Sequence, residues 1–69
     1  MNFDIEIIIP TYNESKNLPV LIPLIFKVLK ESKIKASVVI VDDNSPDGTS
    51  GVAQDLGKKY PIKVITRKR

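Results

Sequence analysis

At 69 residues, 42% apolar and 28% charged, the chain holds one domain at most, and a domain this small buries only about 60% of the surface that its unfolded form exposes. Its net charge of +3, from 11 basic and 8 acidic residues, is a mild bias toward anionic partners. The absence of Cys and His excludes a disulfide framework, a thiolate nucleophile, a zinc site built on sulfur or imidazole, and a histidine general base. Carboxylates, hydroxyls, amides and cations remain for any chemistry.

The start of the chain carries Asp4 and Glu6 where a signal peptide would carry a basic flank and a long apolar run. No stretch approaches the roughly 20 apolar residues of a membrane span. Residues 5–10 are β-branched and almost wholly apolar up to Pro10, which predicts a short strand buried on both faces. From Leu18, apolar residues recur at Leu21, Ile22, Ile25, Val28 and Leu29, the spacing of one helical face, with Asn17 as cap and an end near Ser32. Pro19 suits a first turn. Pro23 should kink a helix that begins at Leu18, a conflict that a tight first turn and a regular helix from Pro23 onward would remove.

Residues 37–41 form a second β-branched run that stops at Asp42 and Asp43. Asn44, Ser45, Pro46, Asp47 and Gly48 are turn chemistry, and Val52, Ala53, Leu56 and Tyr60 mark a second helix capped by Asp47 or Thr49 and stopped by Pro61. Residues 62–66 are a third strand, followed by Arg67, Lys68 and Arg69. The order predicts an α/β fold: a three-stranded parallel sheet with two crossover helices, one expected on each sheet face. In such sheets ligands bind beyond the carboxyl ends of the strands, so residues 10–17 and 42–49 are the segments of interest. Nucleic acid is not expected, because Phe3, Tyr12, Phe26 and Tyr60 are scattered and no docking motif accompanies them.

In the first segment Tyr12 can stack on a base and Glu14 can accept hydrogen bonds from base or ribose donors. Alternatively Tyr12 covers the sheet end while Asn13 and Glu14 assist the helix start. In the second, Asp42 and Asp43 are adjacent carboxylates at the mouth of the sheet, suited to a metal or to a hydrogen-bond-donating ligand. An Asx turn with a helix cap would use Asp47 and Thr49 and leave the Asp pair poorly explained.

Ile7-Ile8-Ile9-Pro10-Thr11-Tyr12-Asn13-Glu14, then Asn17-Leu18-Pro19, then residues 41–49 (Val-Asp-Asp-Asn-Ser-Pro-Asp-Gly-Thr) resemble the start of the inverting family 2 glycosyltransferases over nearly the whole chain. Ser45-Pro46-Asp47-Gly48-Thr49, with Val52, Ala53 and Leu56, is similar to the dolichol-phosphate mannose synthase subgroup. The resemblance implies the first part of a GT-A, Rossmann-like nucleotide-sugar-binding domain, incomplete over residues 1–69. It implies that Pro10, Tyr12, Glu14, Val41 and Asp43 line the nucleotide pocket, with Asp42 and Asp47 organising the loop. The implied reaction moves mannose from GDP-mannose to a dolichyl or other polyprenyl phosphate with inversion, at the cytoplasmic face of a membrane, with a divalent metal (Mg or Mn). The family's metal ligands and acceptor-side residues fall after the third strand, so this chain is expected to be inactive alone. In the family the first strand lies between the second and a later one. Here it should form an exposed edge that invites self-association. The rival readings are a non-catalytic fragment and a phospho-receiver domain, which carries a similar acidic pair after its first strand.

Overall fold

The computed structural model describes residues 3–68; Arg69, the last of the three closing cations, lies outside the described residues. Strand β1 (Ile5–Thr11), helix α1 (Leu18–Glu31), strand β2 (Ala36–Asp42), helix α2 (Thr49–Leu56) and strand β3 (Ile62–Thr66) follow in order. The three strands form one parallel sheet in the order β1-β2-β3. Register aligns Ile7 with Val38 and Ile62, Ile9 with Ile40 and Val64, and Thr11 with Asp42 and Thr66.

Both helices lie on one face of the sheet, which corrects the expectation of one on each. Leu18 and Ile22 of α1, Val38 and Ile40 of β2 and Ala53 of α2 form a single buried cluster, with Ile7, Ile9, Ile62 and Val64 packed against it. Two crossovers of the same hand that step in the same direction across a sheet must fall on the same side. The other face carries Ile8, Val39, Val41 and Ile65, and no element among the described residues covers it. Hence β1 is not buried on both faces: Ile8, on the open face, is 64% exposed.

β1 is an edge strand, and it runs on through Pro10. Ile5 donates its N–H to the Lys35 carbonyl (3.3 Å), and the Thr11 carbonyl accepts from the Asp43 N–H (3.0 Å). Alternate residues of a parallel strand turn both backbone groups to the same neighbour. Ile5, Ile7, Ile9 and Thr11 therefore face β2, while Glu6, Ile8 and Pro10 face the open edge. The N–H that Pro10 lacks would have pointed outward, so the strand survives it.

Helix α1 begins at Leu18, with Asn17 at the cap position, and continues through Pro23 without restarting there. Its end is a Schellman turn: Lys33, at φ 58°, donates to the Lys30 carbonyl and Ile34 to that of Leu29. The cap position of α2 is held by Gly48, at φ 84°, not by Asp47 or Thr49, although the Asp47 carboxylate still accepts the first N–H of the helix, that of Thr49. The helix stops at Gly57, short of Tyr60. Tyr60 instead stacks on Phe26, ring centroids 5.0 Å apart, and ties α1 to the entry of β3.

Because one face alone holds the core, truncation should matter on that face only. Ile22, fully buried, should cost about 2–5 kcal/mol as Ile22→Ala, enough to abolish a cooperative thermal transition followed by circular dichroism. Ile8→Thr on the open face should change stability by no more than about 0.5 kcal/mol. The reverse ranking would contradict the single-faced core.

Candidate functional site

Both segments past the carboxyl ends of β1 and β2 meet at one end of the sheet and are stitched together. The anchor is Asp42, the last residue of the central strand and fully buried. Its Oδ1 accepts from the Thr11 hydroxyl (2.8 Å) and the Ser45 hydroxyl (2.6 Å), and its Oδ2 from the Ser45 N–H (2.9 Å). Burial is the largest single influence and pushes this carboxyl upward. The hydrogen bonds from Ser45 and Thr11 together outweigh it and hold the group below its ordinary range. Two relays cross between the loops. The Asn13 N–H donates to the Ser45 hydroxyl (2.9 Å), which donates to Asp42. The Glu14 N–H donates to the buried Thr49 hydroxyl (2.9 Å), which donates to Asp47 Oδ1.

Asp47 also accepts from the N–H groups of Thr49 (3.0 Å) and Ser15 (3.2 Å). The Thr49 hydroxyl, with these donors behind it, lowers the Asp47 carboxyl to about 2. Asp42 and Asp47 thus spend their oxygens on the loops. Among the described residues no group of three or more carboxylates converges on one point.

Of the residues expected to meet a ligand, Pro10 and Val41 are register partners and belong to the open face. Tyr12 and Asp43 occupy the next positions of the same alternation, just past the strand ends. Tyr12 is 47% exposed. Glu14 is half-buried. Its carboxylate accepts from the Asn17 side chain (3.1 Å), and its carbonyl accepts from the N–H groups of Asn17 and Leu18. Glu14 therefore takes part in the helix start, one of the two readings left open for it.

Sequence reasoning missed Thr11, Ser45 and Arg67. Ser45 stands three residues after Asp42, the spacing of a side chain that caps its own turn, and that was the available signal. In the sequence Arg67 is only one of three closing cations. Its Nε and Nη2 each lie 3.1 Å from Asp43 Oδ1.

The family described as Glycosyl transferase family 2 matches residues 6–69. A dolichol-phosphate mannosyltransferase of Pyrococcus furiosus is 48% identical over 63 residues, covering 91% of this chain and 17% of that protein. A polyprenol monophosphomannose synthase of Mycolicibacterium smegmatis is 38% identical over 58 residues, 84% of this chain and 20% of that protein. The chain spans about a fifth or less of the length of these curated relatives.

A carboxylate held below its ordinary range stabilises the fold fully above that range and loses the contribution as pH falls through the lowered value. For Asp47 the window runs from the ordinary 3.8 down through about 2. The amide resonances of Ser15 and Thr49 should therefore hold their positions to below pH 3.8 and titrate near pH 2. Titration at the ordinary carboxylate value would contradict the stitched loop.

Proposed function

Since this chain belongs to glycosyl transferase family 2, we propose that it forms the nucleotide-facing part of a mannosyltransferase that moves mannose from GDP-mannose to a dolichyl or other polyprenyl phosphate with inversion. The observation that supports this reading most is the stitched pair of loops, which holds Pro10, Tyr12, Val41 and Asp43 at the carboxyl end of the open sheet face. Ligands of open α/β sheets collect there. Tyr12 offers a flat ring for the base, and Asp43 and Glu14 offer acceptors for base and ribose donors. Pro10 and Val41 supply the apolar floor.

A divalent metal would neutralise the departing diphosphate, but Asp42 and Asp47 are committed to the loops, and the described residues do not fit such an ion. No step is assigned to one. The nucleophile is an already ionised phosphate oxygen of the acceptor, which would displace GDP at the anomeric carbon of mannose, and none of the described residues is assigned to holding it. We place the parent enzyme at the cytoplasmic face of a membrane, where a polyprenyl phosphate is met. No described helix is long and apolar enough to cross the bilayer.

Titration with GDP and GDP-mannose, followed by NMR or calorimetry, tests the pocket. Both should bind weakly and alike, and Tyr12→Ala and Asp43→Ala should each abolish the shifts. A sugar nucleotide that binds tighter only when metal is present would show that the chain does hold a set of metal ligands.

The open edge of β1 offers the backbone groups of Glu6 and Ile8. Beside it lies an apolar flank of α1, where Leu24 and Val28 are more than half exposed and Leu21 is 41% exposed. That flank faces away from α2, toward the same side of the sheet. We read this surface as the route to self-association of the isolated chain. The purified 69-residue chain should sediment as a dimer or larger and transfer no mannose to a polyprenyl phosphate. A monomer with protected Glu6 and Ile8 amides would overturn association through this edge, and measurable transfer would overturn the inactivity of the isolated chain.

A further inference from the structure

We propose that Arg67 is a positioning residue that sets the orientation of the Asp43 carboxylate and thereby the choice of base, an inference that rests on the nucleotide reading above. Arg67 is the first residue after β3, and its own N–H donates to the Asp42 carbonyl (2.7 Å), which fixes the origin of its side chain. From there the guanidinium reaches back across the sheet end and places Nε and Nη2 each 3.1 Å from the same oxygen of Asp43. Asp43 is held on its other side by its N–H, which donates to the Thr11 carbonyl (3.0 Å). The carboxylate therefore has its backbone pinned to β1 and its Oδ1 pinned to the end of β3.

Stability does not account for this contact. The Arg67 side chain is 64% exposed and that of Asp43 32%, and pairs so exposed contribute little to folding. Orientation does account for it. Two donors converging on one oxygen fix the direction of that oxygen, and with it the plane of the whole carboxylate. A lysine in the same place would keep the charge without the planar pair of donors. Recognition of a base by a carboxylate is sensitive to that plane. The guanine edge presents two adjacent donors, the ring N–H and the exocyclic amino group, which a correctly turned carboxylate meets together. Hypoxanthine lacks the amino group and otherwise offers the same edge.

The test compares GDP with IDP on the 69-residue chain carrying Arg67, Arg67→Gln or Arg67→Lys, with circular dichroism to check that each folds. In the ligand-free chain, the Arg67 Nε–H should give a protected NMR signal that Asp43→Asn removes. The parent chain should favour GDP over IDP by about tenfold, the worth of one well-made hydrogen bond to a charged acceptor. Both variants should bring that ratio to within about twofold of unity. If Arg67→Gln weakens GDP and IDP by the same factor and leaves the ratio intact, Arg67 acts on the diphosphate and the proposal fails. Retention of the ratio by Arg67→Lys would also overturn it, since charge alone would then suffice. Absence of the Nε–H signal refutes the pairing itself. Failure of the parent chain to bind either nucleotide overturns the pocket reading and the role of Arg67 with it, even where the Nε–H signal shows the ion pair intact.

Discussion

The candidate site depends on one buried carboxylate. Asp42 ends the central strand with no exposed surface, a placement that is costly for a charge unless every lone pair is met. It is met by Thr11 from the neighbouring strand end and by Ser45 from its own loop. No buried side-chain nitrogen or oxygen among the described residues lacks a partner. Thr11 ends β1 opposite Asp42 in the ladder, and Ser45, which also accepts from Asn13, lies in the loop beyond, so the first loop cannot leave its place without loosening a donor that holds the charge. In a chain whose buried cluster is five side chains, this polar tie does work that a larger apolar core would do elsewhere.

The alternation of a strand explains how Asp42 and Asp43 can be neighbours. Successive side chains point to opposite faces, so Asp42 turns toward the helices, into the loop network, and Asp43 turns toward the open face. Each is compensated separately, Asp42 by hydroxyl and amide donors and Asp43 by the Arg67 guanidinium. The same alternation divides the whole end of the sheet. Thr11, Asp42 and Thr66 lie in one row and belong to the scaffold side, while Pro10, Val41 and Ile65 lie in the next and belong to the open side.

Much of this was legible in the residues. Three apolar β-branched runs separated by one long and one short amphipathic stretch gave the element order and the parallel sheet. The doublet at Asp42 and Asp43, with turn residues after it, located the loops. What sequence could not supply was sidedness. A run such as Ile5 to Ile9 reads as buried on both faces because periodicity is silent when every position is apolar, yet in this chain only Ile7 and Ile9 meet the helices. Local pattern is equally silent on which face each helix takes, since strand order decides that question and strand order is not local. By intrinsic preference Pro10 marks the end of a strand and Pro23 a kink or a restart of the helix. The first is tolerated by an edge. The second is carried inside a helix whose neighbour, Ile22, is fully buried, so that packing holds a turn that propensity disfavours.

The loops also share a backbone device that side chains do not reveal. Asn13 and Asn44 both adopt left-handed conformations, at φ 56° and 57°. Each stands two residues past the end of its strand, and the register that aligns Thr11 with Asp42 places the two asparagines at the same level. Asparagine is among the few residues other than glycine that enter this region at modest cost. Two matched reversals at one level send both loops off the sheet in the same direction, side by side. That parallel course is what brings Asn13 to Ser45, Glu14 to Thr49 and Ser15 to Asp47 in three successive contacts. It follows that the spacing of the stitches is set by backbone geometry, and that the hydroxyls of Ser45 and Thr49 are useful because each can accept from one loop while donating to a carboxylate of the other.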